Sequence, residues 1–232
     1  MLDTNSPPRW SPGRGNASHW CSVSSQPIPT RVVLLSGPSG SGKSSLAAVT
    51  GLPVLRLDDF YKESGDPSLP LVDGSSDIDW DSPRSWDADA AVAAIAELCR
   101  TGRTDVPVYD IATSSRTGSD RLDIERTPLF IAEGIFAAEI VTRCRELDVL
   151  ADALCLRGRP STTFRRRLLR DLREGRKSVP MLLRRGWRLM RLERSIIAHQ
   201  TSLGAYACDR DEALGRLTAA AAGRCPAATP AA

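Results

Sequence analysis

The sequence is poor in the residues that build metal and redox sites. It contains two histidines, His19 and His199, and none of its six cysteines forms a C-x-x-C pair. A zinc site or a redox dithiol is therefore not expected. The cysteines are scattered along a chain of 232 residues, which is large enough to fold without disulfides, and this usage is typical of reduced thiols in a cytosol.

Long apolar runs and a strong charge excess are also missing. No run of about 18 apolar residues is present to span a membrane, and residues 1–29 lack the apolar core of a signal peptide. The formal net charge of +3 is too small for a protein whose main partner is nucleic acid. We therefore expect a cytoplasmic protein without a membrane partner and without nucleic acid as its principal ligand.

Both ends of the chain are rich in small and polar residues without apolar periodicity. We predict flexible tails over residues 1–29 and 219–232, around one domain over 30–218. Inside the domain, "RVVLLS" (31–36) is a continuous apolar run bounded by glycine and proline, which predicts a strand buried on both faces. Further strands are predicted at "LPVLRL" (52–57), "VPVYD" (106–110), "PLFIAEGIF" (128–136) and "VLADALCLRG" (149–158).

Two helices are marked by their ends. "KSSLAAVTG" should close at Gly51, and "DADAAVAAIAELCRTG" should begin at a cap by Asp87 and end at Gly102. Strands that alternate with helices predict a three-layer α/β/α fold with a mostly parallel sheet. The stretch "LGAYACDRDEA" (203–213) is predicted as a last strand followed by a loop.

The stretch "GPSGSGKSS" lies directly between the first strand and the first helix. It fits G-x-x-x-x-G-K-[ST], in which backbone N–H groups surround a phosphate, the lysine reaches the β and γ phosphates, and the hydroxyl binds Mg²⁺. The motif and its context predict ATP and Mg²⁺ as cofactors. The predicted nucleotide-binding residues are Gly37, Ser39, Gly40, Ser41, Gly42, Lys43, Ser44 and Ser45.

The small number of asparagines helps to identify the class of phosphate-loop protein. The only asparagines, Asn5 and Asn16, precede the loop, so the N-K-x-D element with which GTPases bind guanine cannot follow it. No further ATPase motif is present either. These absences favour a small-molecule kinase, although the loop alone does not identify the acceptor.

Asp58 and Asp59 follow the second predicted strand. Because loops at the carboxyl ends of parallel strands share one crevice, Asp58 can face the γ-phosphate and accept the proton of an acceptor hydroxyl. Asp59 in that role, or both acids as a solvated turn, stay open at this stage. Glu133 ends the "LFIAE" strand, and an acid at such a position suits Mg²⁺ together with Ser44.

Five further motifs follow the phosphate loop in a fixed order. They are "DDFY" (58–61), "DWDSPRSWD" (79–87), "PVYDIATSSR" (107–116), Glu133-Gly134-Ile135 and "FRRRLLRDLREGRKS" (164–178). In this order the chain resembles the uridine kinase and phosphoribulokinase family of small P-loop kinases. The resemblance extends over about residues 32–178.

The resemblance implies roles on the acceptor side. Asp58 would act on the acceptor hydroxyl and Asp81 would hold ribose hydroxyls. The sequence departs from the family pattern where uracil would be bound. Ser114 stands where uridine kinases place a histidine that contacts the nucleobase, and Ile111 stands where they place a phenylalanine. The donor site is thus better supported than uracil recognition. The acceptor-binding residues that the resemblance implies are Asp58, Tyr61, Asp81, Tyr109 and Arg116.

The arginine-rich segment is predicted to be a helical lid over about residues 158–180. At helical spacing, Arg166, Arg170, Arg173 and Lys177 share one face, and such a stripe can clamp transferring phosphates. We predict Arg166 and Arg170 as catalytic residues and Arg173 as an ATP-binding residue. Contact with nucleic acid is the other use of such a stripe. A further helix is predicted over about 180–200.

Together the motifs predict an ATP- and Mg²⁺-dependent kinase. The γ-phosphate would pass to a hydroxyl of a nucleoside such as uridine or cytidine, or of a related small metabolite. One alternative is a kinase for a non-nucleoside alcohol or a sugar phosphate. The other is a nucleotide-dependent regulator that binds RNA or protein without catalysis. The sequence is compatible with a homo-oligomer and does not decide the oligomeric state.

Overall fold

The structure, a computed structural model, describes residues 29–125, 127–158 and 193–224. Arg166, Arg170 and Arg173 of the predicted lid lie outside the described residues, as does most of the helix predicted over about 180–200. The same holds for residues 1–28 and 225–232 of the predicted tails.

Five strands form a parallel sheet. The strands over residues 31–36 and 129–133 are buried along nearly their whole length, as their Val, Leu and Ile runs predict for strands covered on both faces. The predicted mostly parallel sheet is confirmed. Its strands are β1 (Arg31–Ser36), β2 (Val54–Arg56), β5 (Leu129–Glu133), β6 (Leu150–Leu156) and β7 (Tyr206–Cys208). Their order across the sheet is β2-β5-β1-β6-β7.

Helices cover both faces of the sheet, as predicted. Alternate residues of β1 point to opposite faces, so Val33 packs with one core and Leu34 with the other. The first core contains buried residues of α1 (Lys43–Thr50) and α5 (Arg210–Ala221). The second contains residues of α2 (Ala88–Thr101), α3 (Val141–Glu146) and the helical residues 193–202, here called α4.

The ends of the helices follow the predicted caps. The Asp87 carboxylate accepts the N–H of Ala90 at 3.0 Å, and Gly102 ends α2 with a φ of 78°. After β7, however, the predicted loop is the start of α5. Asp209 and Glu212 form a capping box there, which gives the chain a helix start. This last helix runs to Ala221, past the predicted domain boundary at 218.

The predicted strand at "VPVYD" exists but does not join the parallel sheet. It belongs to β3 (Arg103–Asp110), which pairs with β4 (Ser115–Asp123) as an antiparallel hairpin outside that sheet. The turn is built by Asp110, whose carboxylate accepts the N–H of Ala112 at 3.0 Å. Strand β4 is mostly exposed and polar, so apolar periodicity does not mark it.

Within the described ranges, no helix combines the length and the apolar character that crossing a bilayer requires.

The carboxyl ends of β1, β2 and β5 meet at one edge of the sheet, because these strands are parallel neighbours. This edge carries the phosphate loop, a short 3₁₀ turn over Leu57–Phe60, and Glu133.

Candidate active site

The phosphate loop is a tight turn that only glycine permits at its key positions. Gly37, Gly40 and Gly42 have φ values of 134°, 83° and 101°, in the region that side chains disfavour. A Cβ on Gly37 would lie 2.5 Å from the carbonyl oxygen of Leu156. The loop therefore packs directly on β6, and its main chain forms the concave surface that a phosphate requires.

Lys43 and Ser41 give this loop its chemistry. The Lys43 side chain is buried and Nζ donates to the carbonyls of Gly37 at 3.0 Å and Pro38 at 3.3 Å. The Oγ of Ser41 is buried and has no hydrogen-bond partner among the described residues. A buried hydroxyl without a partner is costly, and a phosphate oxygen would accept its hydrogen bond. The loop thus fits a nucleotide phosphate.

Ser44 and Glu133, the two predicted Mg²⁺ residues, lie in contact. Ser44 Oγ, in the first turn of α1, donates to Glu133 Oε1 at 2.8 Å. Glu133 ends β5 opposite Leu35 of β1, so the sheet fixes its distance from the phosphate loop. A hydroxyl and a carboxylate are hard oxygen ligands of the kind that Mg²⁺ prefers, directly or through water. These two side chains fit the ion, and their metal role remains a prediction.

Asp58 lies beside this pair. A Cβ built on Gly134 would be 2.8 Å from Cβ of Leu57 and 3.2 Å from Oδ1 of Asp58. Only glycine therefore allows the turn after Glu133 to approach the Asp58 carboxylate so closely. The structure brings Ser44, Glu133 and Asp58 together at one edge of the sheet.

The neighbouring acid, Asp59, has a different environment. Its carboxylate forms an ion pair with Arg56 at 3.2 Å and is only 16% exposed. Burial raises the pKa of Asp59, Arg56 lowers it, and the charges of Asp58 and Glu133 raise it. The net effect raises the pKa of Asp59, with burial as the main cause, and the carboxylate is paired with an arginine.

Five aromatic side chains meet next to Asp58 and form what we call the aromatic cluster. Ring centroids of Tyr61 lie 6.0 Å from Trp80, 5.9 Å from Tyr109 and 5.9 Å from Phe136. Trp86 lies 5.9 Å from Phe136, and its Nε1 donates to the carbonyl of Leu57 at 2.7 Å. Sequence analysis identified Tyr61 and Tyr109 and missed the other three. The available signal was that both tryptophans occur inside the "DWDSPRSWD" motif.

The hairpin is fastened to this cluster through Tyr109 and Arg116. Tyr109 donates its hydroxyl to the carbonyl of Lys62 at 3.1 Å, and burial raises the pKa of this phenol while a hydrogen bond with Ser114 lowers it. Arg116 pairs with Asp87 at 3.5 Å, and its backbone N–H donates to Glu63 at 3.0 Å. The predicted residues Tyr109 and Arg116 thus contact the segment that follows the Asp58 turn and the start of α2.

The remaining predicted positions are more exposed. Asp81 is exposed in the loop that carries Trp80, and its backbone N–H donates to Asp79 at 3.2 Å. Ile111 is 47% exposed near the tip of the hairpin, and Ser114 has a φ of 51° there. Ser45 is exposed in the first turn of α1. The structure does not bring Ile111 into the aromatic cluster.

Sequence comparison connects this geometry to known proteins. The model of the "Phosphoribulokinase / Uridine kinase family" matches residues 32–181, more than half of the chain. The chain belongs to this family. The match spans the phosphate loop, the Asp58 turn, the hairpin and Glu133, and it confirms the family that the ordered motifs predict.

Individual relatives match this chain over part of their own length. The uridine kinase of Schizosaccharomyces pombe is 31% identical over 165 residues, which are 66% of this chain and 34% of that protein. The inorganic pyrophosphatase TTM2 of Arabidopsis thaliana is 32% identical over 111 residues, or 46% of this chain and 15% of that protein. The chain therefore spans about a third or less of the length of these two relatives.

A solved structure supports the fold. A candidate fructose transport system kinase from Silicibacter sp. TM1040 superposes with a TM-score of 0.55 at 19% identity, covering 75% of this chain and 87% of that one. At this identity the likeness concerns the fold alone, and it agrees with the three-layer α/β/α architecture.

Proposed function

We propose that this protein is a Mg²⁺-dependent kinase that transfers the γ-phosphate of ATP to a hydroxyl of an unphosphorylated small metabolite, with nucleosides such as uridine or cytidine as the favoured class. One observation carries the proposal. Ser44 contacts Glu133 at 2.8 Å at the mouth of the phosphate loop, with the Asp58 carboxylate against the next residue, Gly134.

The donor half of the reaction uses groups that hold phosphate charge. The backbone N–H groups of the loop and the N-terminus of α1 would receive the phosphates, and the Lys43 ammonium would move from loop carbonyls to phosphate oxygens. A bound Mg²⁺ neutralises charge that develops on the transferring group. Ser44 and Glu133 would hold that ion, and their contact keeps both oxygens on the same side of the loop.

Asp58 is the proposed base. Phosphoryl transfer requires the acceptor hydroxyl to be oriented in line with the γ-phosphate and to lose its proton late in the step. The Asp58 carboxylate lies against Gly134, next to Glu133, so an acceptor hydroxyl bound beside it would face the phosphate held by the loop. Asp59 is held by Arg56 at 3.2 Å, which favours a supporting role for it.

The acceptor side favours a planar and uncharged molecule. The rings of Tyr61, Trp80 and Tyr109 offer surfaces on which a base could stack. The guanidinium of Arg116 is paired with Asp87, and Glu63 lies beside its backbone. A phosphate on the acceptor would compete with these carboxylates, so this side supports a nucleoside better than a sugar phosphate.

The test is ADP release from ATP and Mg²⁺ with a panel of nucleosides, free sugars and sugar phosphates. We expect turnover with at least one unphosphorylated nucleoside and little with sugar phosphates, and none in Lys43→Met. Turnover confined to sugar phosphates would contradict the acceptor class. Steeply salt-dependent RNA binding, with no transfer to any acceptor, would replace the kinase by a regulator.

A further inference from the structure

We infer that Gln200 is a positioning residue that holds the turn after β5 in place, and with it the proposed metal-binding carboxylate of Glu133. Gln200 lies in α4 and is 5% exposed. Its Nε2 donates to the backbone carbonyl of Ile135 at 2.9 Å. Its Oε1 accepts a hydrogen bond from the thiol of Cys155 at 3.1 Å. None of the sequence motifs includes this residue.

The turn that Gln200 holds has a distinct contact at each of three consecutive residues. Glu133 accepts the hydroxyl of Ser44, Gly134 packs against Leu57 and Asp58, and Ile135 accepts the amide of Gln200. A shift of the turn at Ile135 would therefore move the groups proposed to bind the metal and to face the acceptor.

Two main-chain hydrogen bonds of this turn are long. The N–H of Gly134 donates to Leu35 at 3.2 Å and that of Ala137 to Gly134 at 3.4 Å, and both bonds are longer than the usual backbone hydrogen bond. The bond from Gln200 is shorter than both. Because its partner is a backbone carbonyl, it restrains the path of the main chain rather than one side-chain rotamer.

The other end of Gln200 is anchored beneath the phosphate loop. Cys155 lies opposite Ser36 in the register of β6 with β1, directly before Gly37. Burial raises the pKa of the Cys155 thiol, which therefore stays protonated and donates at neutral pH. Gln200 thus connects the sheet below the loop to the turn that carries Glu133. A buried amide with both ends bonded specifies one arrangement, because any other would leave a buried group without a partner.

The inference rests on the proposed function, and Mg²⁺ dependence is the readout that separates positioning from simple stability. Gln200→Met keeps the length of the side chain and removes both hydrogen bonds. We expect the Mg²⁺ concentration for half-maximal turnover to rise, and kcat to fall, by about tenfold, in the range for groups that orient metal ligands. The acceptor KM should stay within about twofold, because the aromatic cluster is untouched.

Three variants separate the two ends of the side chain. Gln200→Glu keeps the acceptor for Cys155 and loses the N–H toward Ile135, so it should reproduce the Mg²⁺ effect. Cys155→Ser keeps a donor and should behave like wild type. Thr201→Ala, on the same helix, removes an exposed hydroxyl that donates to the Ile197 carbonyl at 2.8 Å and should change neither parameter.

Folded Gln200→Met or Gln200→Glu protein with wild-type Mg²⁺ dependence would overturn the inference. If Gln200→Met fails to fold, Gln200→Glu decides the matter. The affinity for a fluorescent ATP analogue, titrated with Mg²⁺ without turnover, gives an independent readout. If the wild type transferred phosphate to no acceptor, the proposed function would fail, while a Mg²⁺-dependent loss of nucleotide affinity in the Gln200 variants would still support the positioning role.

Discussion

The two sides of the crevice are built in different ways. On the proposed donor side the phosphate loop is local, since Lys43 contacts a carbonyl six residues before it, while Glu133 reaches Ser44 from the neighbouring parallel strand. The acceptor side, comprising the aromatic cluster and the hairpin, is assembled from distant segments. Tyr109, for example, bonds a carbonyl that is 47 positions away in the chain. A short motif can specify the phosphate loop, whereas the contact of Ser44 with Glu133 and the whole acceptor side require the fold.

The two sides also differ in charge. On the donor side, the Lys43 ammonium, the backbone N–H groups and the Ser41 hydroxyl are donors that a phosphate could accept from, and the Glu133 carboxylate is the group proposed to hold the metal ion. On the acceptor side, Arg116 is paired with Asp87, and Glu63 lies against the hairpin. This difference would direct phosphates to one side and an uncharged hydroxyl compound to the other.

The largest effect should come from the residue between the two sides. Asp58→Asn should lower kcat by about 10²- to 10⁴-fold, the usual contribution of a general base. Nucleotide affinity, measured with a fluorescent ATP analogue, should stay close to wild type. The matched control is Asp59→Asn, which we expect to lower kcat much less because its carboxylate pairs with Arg56. Equal losses in both variants would mean that Asp58 has no special role.

The donor side can be tested through its metal pair. Ser44→Ala and Glu133→Gln should each raise the Mg²⁺ requirement and lower turnover by about 10- to 100-fold. Because the two side chains contact each other, the double variant should lose less than the product of the single effects. Kinetics at several Mg²⁺ concentrations give the coupling. If the effects of the two single substitutions simply multiplied, Ser44 and Glu133 would not act as one site despite their 2.8 Å contact.

The acceptor side should respond without disturbing the donor side. Trp80→Leu removes a stacking surface next to Tyr61 and should raise the acceptor KM by roughly 5- to 150-fold, as expected for 1–3 kcal/mol of base stacking. The KM for ATP should not change. Ile111→Ala is the control, since this exposed side chain lies outside the aromatic cluster. A raised ATP KM in Trp80→Leu would remove the distinction between the sides.

The charge of the acceptor side offers a finer test. Asp87→Asn keeps a residue that caps α2 well and removes the charge that pairs with Arg116. We expect kcat/KM for phosphate-bearing acceptors to rise several-fold relative to uncharged ones. Asp89→Asn is the matched control, because Asp89 pairs with Arg143 rather than Arg116. An unchanged preference would show that this ion pair does not select the acceptor.

The domain as a whole should lose stability at alkaline pH. Burial raises the pKa of Cys208 from 9.0 to about 12 and that of Cys144 from 9.0 to about 11. Unfolded thiols ionise first, so the free energy of unfolding should fall as pH rises from about 9 to 11, by up to about 1.4 kcal/mol per unit and thiol. Chemical denaturation at each pH measures this slope. Cys208→Ala should make the dependence of the unfolding free energy on pH shallower. An unchanged slope would contradict a raised pKa of Cys208 as one of its causes.

Several features were predictable because their causes are local. The bounds of α2 follow from the Asp87 cap and the positive φ of Gly102, which need only neighbouring residues. Strands β1 and β5 follow from continuous apolar runs that must be buried on both faces. The phosphate loop and Glu133 follow from spacing along the chain.

Other features were wrong or missed because their causes are not local. The "VPVYD" strand was predicted correctly as a strand and placed in the wrong sheet, since pairing with the polar β4 depends on a turn that apolar periodicity does not reveal. The helix after β7 was predicted as a loop because its capping box follows the strand directly. Trp80, Trp86 and Phe136 become neighbours only when the turns after β2 and β5 meet.

By itself, the sequence determined the motifs that mark the family, the phosphate loop, and the buried strands with the acids at their ends, since each of these depends on residues close together in the chain. The tertiary structure alone decided which groups meet: Ser44 with Glu133, Asp58 with Gly134, the aromatic cluster, and Gln200 with Ile135 and Cys155. The physical reason is that hydrogen bonds and ring contacts require distances of a few ångströms. Only the packing of helices and hairpin on the sheet brings residues so distant in sequence to that separation.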